Sequence, residues 1–313
     1  MPLHIETPLI ESRPLSARLN KNVWLKMDAL QPSGSFKARG IGHACESYQQ
    51  QGAARFVACS GGNAGLAVAY AGRQLGIPVV VVVPITTTER AKALIRLENA
   101  EVVVHGASFS EANEFALALV GSNDAYIHPF DDPLLWHGHA TLVDEMARQG
   151  PKPDVVVLSV GGGGLFCGVV TGLRRNGWGD VPVVAVETAG ADSLAQSVLA
   201  GQAVTLPAIT SIATSLGALT VCAKALRLAG EHPVESLVVS DAAAVDGCLA
   251  LLDDHRVLTE AACGASLAAL HSASVLIAKA QRVAVVVCGG VGVTATQLKR
   301  WHDEFALQSA WRA

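Results

Sequence analysis

Seven short runs of β-branched and other apolar residues constrain the fold of this chain most, because polar residues do not alternate within them. The runs are residues 55–59, 79–83, 102–104, 155–160, 183–186, 237–239 and 283–287. Continuous apolar runs are typical of strands buried on both faces of a parallel sheet. Ala- and Leu-rich stretches of helical length separate them, from residues 64–75 to residues 264–278. This alternation predicts an α/β fold with right-handed crossovers.

The charge and hydropathy of the chain exclude several classes of partner. Only 16% of its 313 residues are charged, the net charge is −4, and no dense Lys/Arg block is present. We therefore expect neither nucleic acid nor an anionic membrane surface as a partner. The longest apolar runs are strand-length, well short of the ~20 residues that a membrane-spanning helix needs. High hydropathy is instead explained by buried strands.

The cysteines and the first residues bear on the compartment. Seven cysteines occur without any CxxC spacing, and a chain of this size does not need disulfides to fold. The opening MPLHIETPLIES has neither the basic nor the apolar region of a secretory signal. We therefore expect a cytoplasmic protein. The least regular stretch, residues 126–139 (YIHPFDDPLLWHGH), is where we expect a domain junction.

The loops after strands are where we expect the chemistry, because ligands of open α/β sheets bind beyond the carboxyl ends of the strands. The first such loop is SGSFKARG, residues 33–40, after a predicted strand at residues 23–27. Ser35 is a candidate N-cap, which places Lys37 in the first helical turn, where the helix dipole disfavours an ammonium ion. A lowered lysine pKa suits Schiff-base chemistry. The alternative is a solvated surface lysine.

Three further loops are rich in glycine. In CSGGNAG, residues 59–65, backbone N–H groups and the Asn63 amide could receive a carboxylate or phosphate, although an ordinary turn is equally compatible. The run Gly161–Gly164 favours a phosphate site, since four consecutive glycines cost backbone entropy in a mere turn. In CGGVG, Gly290 and Gly292 match a dinucleotide pattern by accident, because no further strand with an acidic residue follows.

Other candidates for metal or acid–base chemistry are weaker. His137 and His139 lack a third ligand at zinc spacing, so no catalytic zinc is expected. The pair Asp131-Asp132 fits a solvated loop or a turn cap better than an acid–base dyad. Four cysteines in helical patterns are interpreted as packed thiols: Cys167, Cys222, Cys248 and Cys263.

A lysine that accepts an aldehyde, a phosphate cradle and a carboxylate cradle are together what pyridoxal 5'-phosphate and an amino acid require. The segments SGSFKARG, SGGNAG, SVGGGGLFCGV and CGG, in this order, resemble the fold-type II pyridoxal-phosphate enzymes. Further segments, including PFDDPLLWHGHA and LPAITSIATSLGA, resemble the L-serine dehydratase and threonine deaminase group. The resemblance covers nearly the whole chain.

The resemblance implies a fold and cofactor contacts. It implies two open, twisted, mostly parallel α/β domains with the active site in the cleft between them: residues 1–37 and 138–313 form the large one, and residues 38–137 form the small one. Lys37 would form the Schiff base, Phe36 would pack on the pyridine ring, Asn63 would meet the phenolic oxygen and Cys288 the pyridine nitrogen. The phosphate would be held by Gly161, Gly162, Gly163, Gly164 and Leu165.

The same resemblance implies substrate and cation contacts and a homodimer. The substrate carboxylate would be received by Ser60, Gly61, Gly62, Asn63 and Ala64. A monovalent cation such as potassium would be bound by Gly161, Glu187, Ala191, Ser193, Leu216 and Ala218, whose mostly neutral backbone oxygens suit a singly charged ion. For Glu187 the alternative is a surface acid after a strand.

The expected activity is β-elimination from L-serine, giving pyruvate and ammonia, with L-threonine as a further substrate. A thiol at Cys288 would leave the pyridine nitrogen of the cofactor largely unprotonated. The carbanion is then less delocalised into the ring, which favours loss of a β-substituent over transamination. The alternatives are a serine β-replacement synthase, a serine racemase, and a non-catalytic amino-acid sensor. The chain departs from the dehydratases at residues 291–294 (VGVT), where they usually have Ser and Asn, and Gly61 stands where some of them have Ala.

Overall fold

The computed structural model describes residues 2–305, so the last part of the expected large domain, residues 306–313, lies outside the described residues. The strands are, in chain order, β1 (Leu9–Glu11), β2 (Asn22–Lys26), β3 (Arg55–Cys59), β4 (Val79–Val83), β5 (Glu101–Val104), β6 (Asp124–Tyr126), β7 (Val155–Ser159), β8 (Val183–Thr188), β9 (Val234–Val239) and β10 (Arg282–Val286).

The helices alternate with these strands along the chain. They are α1 (Arg13–Leu19), α2 (Lys37–Gln50), α3 (Asn63–Leu75), α4 (Glu89–Leu97), α5 (Phe109–Ala118), α6 (Pro133–Gln149), α7 (Gly164–Arg175), α8 (Ser193–Ala200), α9 (Ala223–Glu231), α10 (Asp241–His255), α11 (Ala261–Ala268), α12 (Val275–Lys279) and α13 (Ala295–Phe305). Single turns of 3-10 helix lie at Asp28–Leu30, Thr214–Leu216 and Ala269–His271.

The strands form two sheets. The larger has the order β1-β2-β10-β7-β8-β9, and the smaller has the order β5-β4-β3-β6. Only β1 is antiparallel to its neighbour; the other pairings are parallel. The predicted α/β class with two open, mostly parallel sheets is therefore confirmed. The strands of the smaller sheet lie between β2 and β7 in the chain, whereas the domain boundaries at residues 37 and 138 stay a prediction.

Burial explains why the apolar runs do not alternate. Every residue of β4, β7 and β8 is buried, since helices cover both faces of each sheet. One apolar core surrounds the larger sheet, and two others lie on the smaller sheet. No helix within residues 2–305 combines the length and apolar character needed to cross a bilayer.

Two differences from the predicted elements matter for the site. The stretch at residues 126–139 is less irregular than expected, because α6 begins within it at Pro133 and the Asp132 carboxylate accepts a hydrogen bond of 2.8 Å from the Leu134 N–H. The helix predicted at residues 264–278 is wrong as one unit. It ends as α11, continues as a 3-10 turn and restarts as α12 after Ser274, whose hydroxyl caps the new helix.

Candidate active site

The order of the larger sheet brings three of the predicted loops together. Strands β2, β10 and β7 are neighbours and parallel, so the loops that follow them leave the same edge of the sheet. Backbone hydrogen bonds join two of these loops: the Phe36 N–H donates to the Cys288 carbonyl at 3.0 Å, and the Gly290 N–H donates to the Gly34 carbonyl at 2.9 Å. The segment that carries Lys37 is therefore fixed against the segment that carries Cys288.

Lys37 lies in the first turn of α2, as predicted, but as its first residue, and its amino group donates a hydrogen bond to the carbonyl of Pro129. Burial lowers the pKa of Lys37 to about 8, while the nearby Cys288 and Glu260 raise it. Burial is thus the main cause of the lowered pKa, rather than the helix dipole that the sequence suggested. A solvated surface lysine does not fit this position, because Lys37 is at least half-buried and its amino group is bonded to the Pro129 carbonyl.

The predicted N-cap of α2 is wrong. Phe36, with helical dihedral angles, precedes the helix, and the Ser35 hydroxyl is buried without a hydrogen-bond partner among residues 2–305. The backbone of Ser35 pairs with Gly289 in a bridge between the two loops. The Phe36 ring packs at 4.9 Å between centroids against the imidazole of His139, whose burial keeps its pKa well below the ordinary value. A neutral imidazole therefore supports the ring of Phe36.

The glycine run after β7 forms a tight turn into α7. Gly163 has φ +94°, and α7 begins at Gly164, with Leu165 buried as its second residue. A Cβ at Gly162 would overlap the Phe130 ring, and one at Gly164 would lie 2.8 Å from the Phe130 carbonyl oxygen. Side chains are thus excluded from this turn, while the first N–H groups of a helix lack partners within it. This is the arrangement that binds phosphate.

The loop after β3 forms the opposite side of the cleft. Ser60, Gly61 and Gly62 are at least partly exposed, whereas Ala64 is buried in the first turn of α3. The Gly62 N–H donates to the Ser60 hydroxyl at 3.2 Å, and a Cβ at Gly61 would lie 2.5 Å from Thr87. Open backbone at a helix N-terminus can receive a carboxylate.

Asn63, the first residue of α3, is buried and points toward the loops of the larger sheet. Its Nδ2 donates to Glu260 Oε1 at 2.6 Å, and its Oδ1 accepts from the Val291 N–H at 3.1 Å. Burial raises the pKa of Glu260, a residue that the sequence analysis missed. A lone glutamate between a loop and an Ala-rich helix carries no local signal of this role.

Cys288 is buried after β10, near the thiol of Cys263. This neighbouring thiol and burial both raise the pKa of Cys288, so the side chain is a neutral thiol. Cys263 is packed, as predicted, but it is also the direct partner of Cys288. The polar group behind Cys288 is thus a second thiol from α11.

The segment after β6 also belongs to the site, although no role was predicted for it. The Phe130 and Asp131 N–H groups donate to His128 Nδ1 at 3.2 and 2.7 Å, and Trp136 Nε1 donates to the Phe130 carbonyl at 2.9 Å. These bonds hold Pro129 over Lys37 and Phe130 over the glycine run. A contact through a backbone carbonyl, as at Pro129, has no sequence signature.

A buried ionic network fixes the helix that carries Lys37. The guanidinium of Arg39 donates to Asp28 at 2.7 and 2.8 Å and to Glu145 at 2.6 and 2.7 Å. Lys26 Nζ donates to the same Glu145 carboxylate at 2.6 Å. Removing one partner of such a buried pair costs about 3–5 kcal/mol. The network therefore joins α2 to β2 and α6 two residues beyond Lys37.

The expected cation ligands fall into two groups. A Cβ at Gly161 would lie 3.2 Å from the Leu216 carbonyl oxygen, and this oxygen accepts from the Ala218 N–H at 2.8 Å. Glu187 is fully buried in β8 and accepts from the N–H groups of Leu194 and Ala195 at 2.8 and 2.7 Å.

Glu187 is not a surface acid, so that alternative is wrong. Burial raises the pKa of Glu187 to about 7. Ala191 lies beside it, in a bridge with Thr188, and the buried Ser193 hydroxyl has no hydrogen-bond partner among residues 2–305. Residues 2–305 contain no group of three or more His, Cys, Asp and Glu side chains placed to hold a metal ion.

Together these residues form a cleft with a buried amine at its centre. The Lys37 amine donates to Pro129, whose neighbour Phe130 packs on the glycine turn, and Cys288 and Glu260 lie within its electrostatic range. Glu260 in turn bonds Asn63, which follows the partly exposed residues 60–62. Such a cleft can hold an aldehyde that carries a phosphate and an aromatic ring, together with a small carboxylate.

Comparison with known proteins gives the same picture. The sequence model of the family described as "Pyridoxal-phosphate dependent enzyme" matches residues 1–289. The human L-serine dehydratase/L-threonine deaminase is 48% identical over 319 residues, covering 98% of this chain and 97% of that protein. The solved L-serine ammonia-lyase of the fungus Rhizomucor miehei has a TM-score of 0.91 and 38% identity, covering 97% of this chain and 100% of its own. Maize serine racemase has a TM-score of 0.88 and 26% identity, covering 97% and 94%.

Proposed function

Because the chain belongs to the pyridoxal-phosphate dependent enzyme family, we propose that it converts L-serine to pyruvate and ammonia by β-elimination, and L-threonine to 2-oxobutanoate. The observation that carries the proposal is the place of Lys37. Its amine donates to the carbonyl of Pro129, next to the Phe130 ring that packs on the glycine turn. It also acts on Glu260, which bonds Asn63 at the end of the open loop of residues 60–62. The identity to curated serine dehydratases over nearly the whole chain supports elimination as the reaction.

The residues present fit pyridoxal phosphate. Glycines at positions 162 and 164, where Phe130 excludes a Cβ, leave backbone N–H groups for the phosphate, and the Ser159 and Ser35 hydroxyls are buried without partners among residues 2–305. Lys37 would hold the aldehyde carbon, Phe36 the ring, Asn63 the phenolic oxygen and Cys288 the pyridine nitrogen. When bound, the cofactor supplies an electron sink for the carbanion formed at the substrate's α-carbon.

The chain's own residues then divide the work. The backbone of residues 60–64 binds the substrate carboxylate and so orients the α-carbon toward Lys37. The neutral amine of Lys37 takes the α-proton onto Nζ, since a pKa of about 8 leaves part of it unprotonated near neutral pH. Cys288, held as a neutral thiol by Cys263 and by burial, offers no carboxylate to keep the pyridine nitrogen protonated. This favours departure of the β-hydroxyl.

A keto-acid assay tests the proposal. Purified protein with pyridoxal phosphate and potassium is incubated with L-serine, L-threonine, D-serine and L-cysteine. We expect 2-oxo acid from L-serine and L-threonine, and none with a Lys37→Ala variant. Chiral analysis of the L-serine reaction detects a racemase, which would form D-serine but no pyruvate. A second reaction with added sulfide detects a β-replacement synthase, which would consume L-serine only when sulfide is present. Heat of serine binding without turnover would indicate a sensor.

The proposal includes a bound potassium ion. The neutral backbone oxygen of Leu216 beside Gly161, and the buried carboxylate of Glu187 beside Ser193, support a singly charged ion there. Ala191 and Ala218 would complete the set with further backbone oxygens. Flame photometry of the dialysed protein would detect the ion, and a Glu187→Gln variant would lose it.

We also propose that the protein is a cytoplasmic homodimer and that it binds a small amino acid as its substrate. All seven cysteines are unpaired and buried, which suits a reducing compartment. The resemblance to the serine dehydratases supports the dimer. Light scattering after size-exclusion chromatography would give twice the chain mass of 32.4 kDa if the dimer forms, and the chain mass itself if it does not.

A further inference from the structure

The glycines of CGGVG, whose dinucleotide pattern has no function here, surround a carboxyl group. Gly290 has φ +119°, and a Cβ there would overlap Glu260, lying 2.5 Å from Oε1. A Cβ at Gly292 would lie 3.0 Å from Glu260 Oε2. These two glycines therefore leave the space that one glutamate side chain occupies between the loop after β10 and the start of α11.

This carboxyl group receives donors from two separate segments. Glu260 is only 8% exposed. Oε1 accepts from Asn63 Nδ2 at 2.6 Å, and Oε2 accepts from the Gly292 N–H at 3.4 Å. Burying a carboxyl group is costly unless such partners are present. The positive charge of Lys37 also acts on Glu260, so the carboxyl group lies within electrostatic range of that amine.

Glu260 decides which way the Asn63 amide faces. Asn63 Oδ1 accepts from the Val291 N–H at 3.1 Å, while Nδ2 donates to Glu260, so both ends of the amide are assigned. An amide nitrogen carries two N–H donors. The second has only Ser215 Oγ at 3.5 Å, which is long for a hydrogen bond, and so remains able to donate to a ligand.

We propose that Glu260 is a positioning residue that fixes the Asn63 amide, and through it the phenolic side of the bound cofactor. The contact also joins the two sides of the cleft, because Asn63 begins α3 beside the smaller sheet and Glu260 precedes α11 beside the larger one. The inference rests on the proposed cofactor contact of Asn63. It does not depend on which reaction the cofactor serves.

A double-mutant cycle in cofactor binding tests this inference. The dissociation constant of pyridoxal phosphate and the visible absorption maximum of the complex are measured for wild type, Glu260→Ala, Asn63→Ala and the double variant. We expect Glu260→Ala to weaken binding about tenfold, as loss of a hydrogen bond to a charged group does, and to shift the absorption maximum. In the Asn63→Ala background the same change should weaken binding less than about twofold, since Glu260 acts through Asn63.

Two conservative variants guard against loss of folding. Glu260→Gln keeps an oxygen for Asn63 Nδ2 and should stay within about threefold of wild type, whereas Glu260→Asp withdraws the carboxyl group and should weaken binding about fivefold. Glu235→Ala is the matched control. Glu235 is another partly buried glutamate that accepts backbone N–H groups, those of Val275 and Leu276 at the start of α12, so its loss should lower the melting temperature without changing cofactor affinity.

Two results would overturn the inference. One is a Glu260→Ala protein that binds the cofactor within twofold of wild type with an unchanged spectrum. The other is a pair of single-variant effects that multiply in the double variant, which would show that Glu260 and Asn63 act independently. The dissociation constant and the absorption maximum are measured without turnover. They therefore test the role of Glu260 even if the proposed lyase activity with serine is not found.

Discussion

At the scale of single residues, the groups with side-chain chemistry were predictable and their partners were not. Lys37 and Asn63 stand out in the sequence because each opens a helix after a glycine-containing loop. Glu260 and Pro129 do not, since one is an isolated acid and the other acts through its backbone carbonyl. Ser35 was misjudged because α2 begins one residue later than expected: Phe36, with helical angles, precedes it, and the Ser35 hydroxyl reaches no helix N–H.

The lowered pKa of Lys37 predicts how cofactor capture depends on pH. The neutral amine attacks an aldehyde, and with a pKa of about 8 the neutral fraction rises through the range around pH 8. We expect the association rate of pyridoxal phosphate with cofactor-free protein to rise about tenfold between about pH 7 and 9 and then to level off. Stopped-flow absorbance measures it, with a free lysine derivative as control. A rate that keeps rising beyond pH 10, as for an exposed lysine, would contradict this assignment.

At the scale of elements, long buried strands were predicted closely and short or interrupted elements were not. The boundaries of β3 and β4 match the predicted runs. The strands β1 and β6, with three residues each, were missed because edge position and small size leave little apolar signal. The helix predicted at residues 264–278 shows the opposite error: its composition is helical, but Ser274 starts a new helix there.

The turn between β7 and α7 gives a prediction at this scale. Gly162→Ala places a Cβ on the Phe130 ring, so the ring or the turn must shift, and overpacking of this kind costs about 1–3 kcal/mol. We expect the dissociation constant of pyridoxal phosphate to rise about tenfold or more, as measured by fluorescence titration.

Gly230→Ala is the matched control for this variant. Gly230 lies in α9, and a Cβ added to it would meet nothing within 4 Å, so affinity should stay within twofold of wild type and helix stability should rise slightly. Equal affinities for the two variants would refute a phosphate site at Gly162.

At the scale of the whole molecule, the function depends on two sheets that meet around one cleft. The sequence predicted the class of both sheets, since buried parallel strands read as continuous apolar runs. It could not predict that Asn63 from one side bonds to Glu260 from the other, because 197 residues separate them in the chain. The same holds for Glu187, whose burial inside β8 depends on the packing of α8.

Glu187 and the proposed potassium ion give a prediction about the stability of the whole protein. Its pKa is raised from 4.5 to about 7, so the folded state holds a proton that the unfolded state releases, and stability falls as pH rises from about 4.5 to 7. The loss is about 3 kcal/mol without a cation. Potassium, which favours the ionised carboxylate, should stabilise the protein more at pH 8 than at pH 5.

Urea unfolding in potassium chloride and in tetramethylammonium chloride at equal ionic strength measures this effect. A Glu187→Gln variant has no titrating group at position 187. Its unfolding free energy should therefore lack both this pH dependence and the response to potassium. Parallel stability curves for wild type and Glu187→Gln would contradict the assignment of Glu187.

The loops of both sheets converge on Lys37, which we propose carries the cofactor. Borohydride reduction of the protein loaded with pyridoxal phosphate, followed by peptide mass spectrometry, tests it most directly. We expect one phosphopyridoxyl group per chain, on Lys37, and loss of the label in Lys37→Ala. A label on another lysine, or a protein that binds the cofactor without forming any reducible bond, would contradict it.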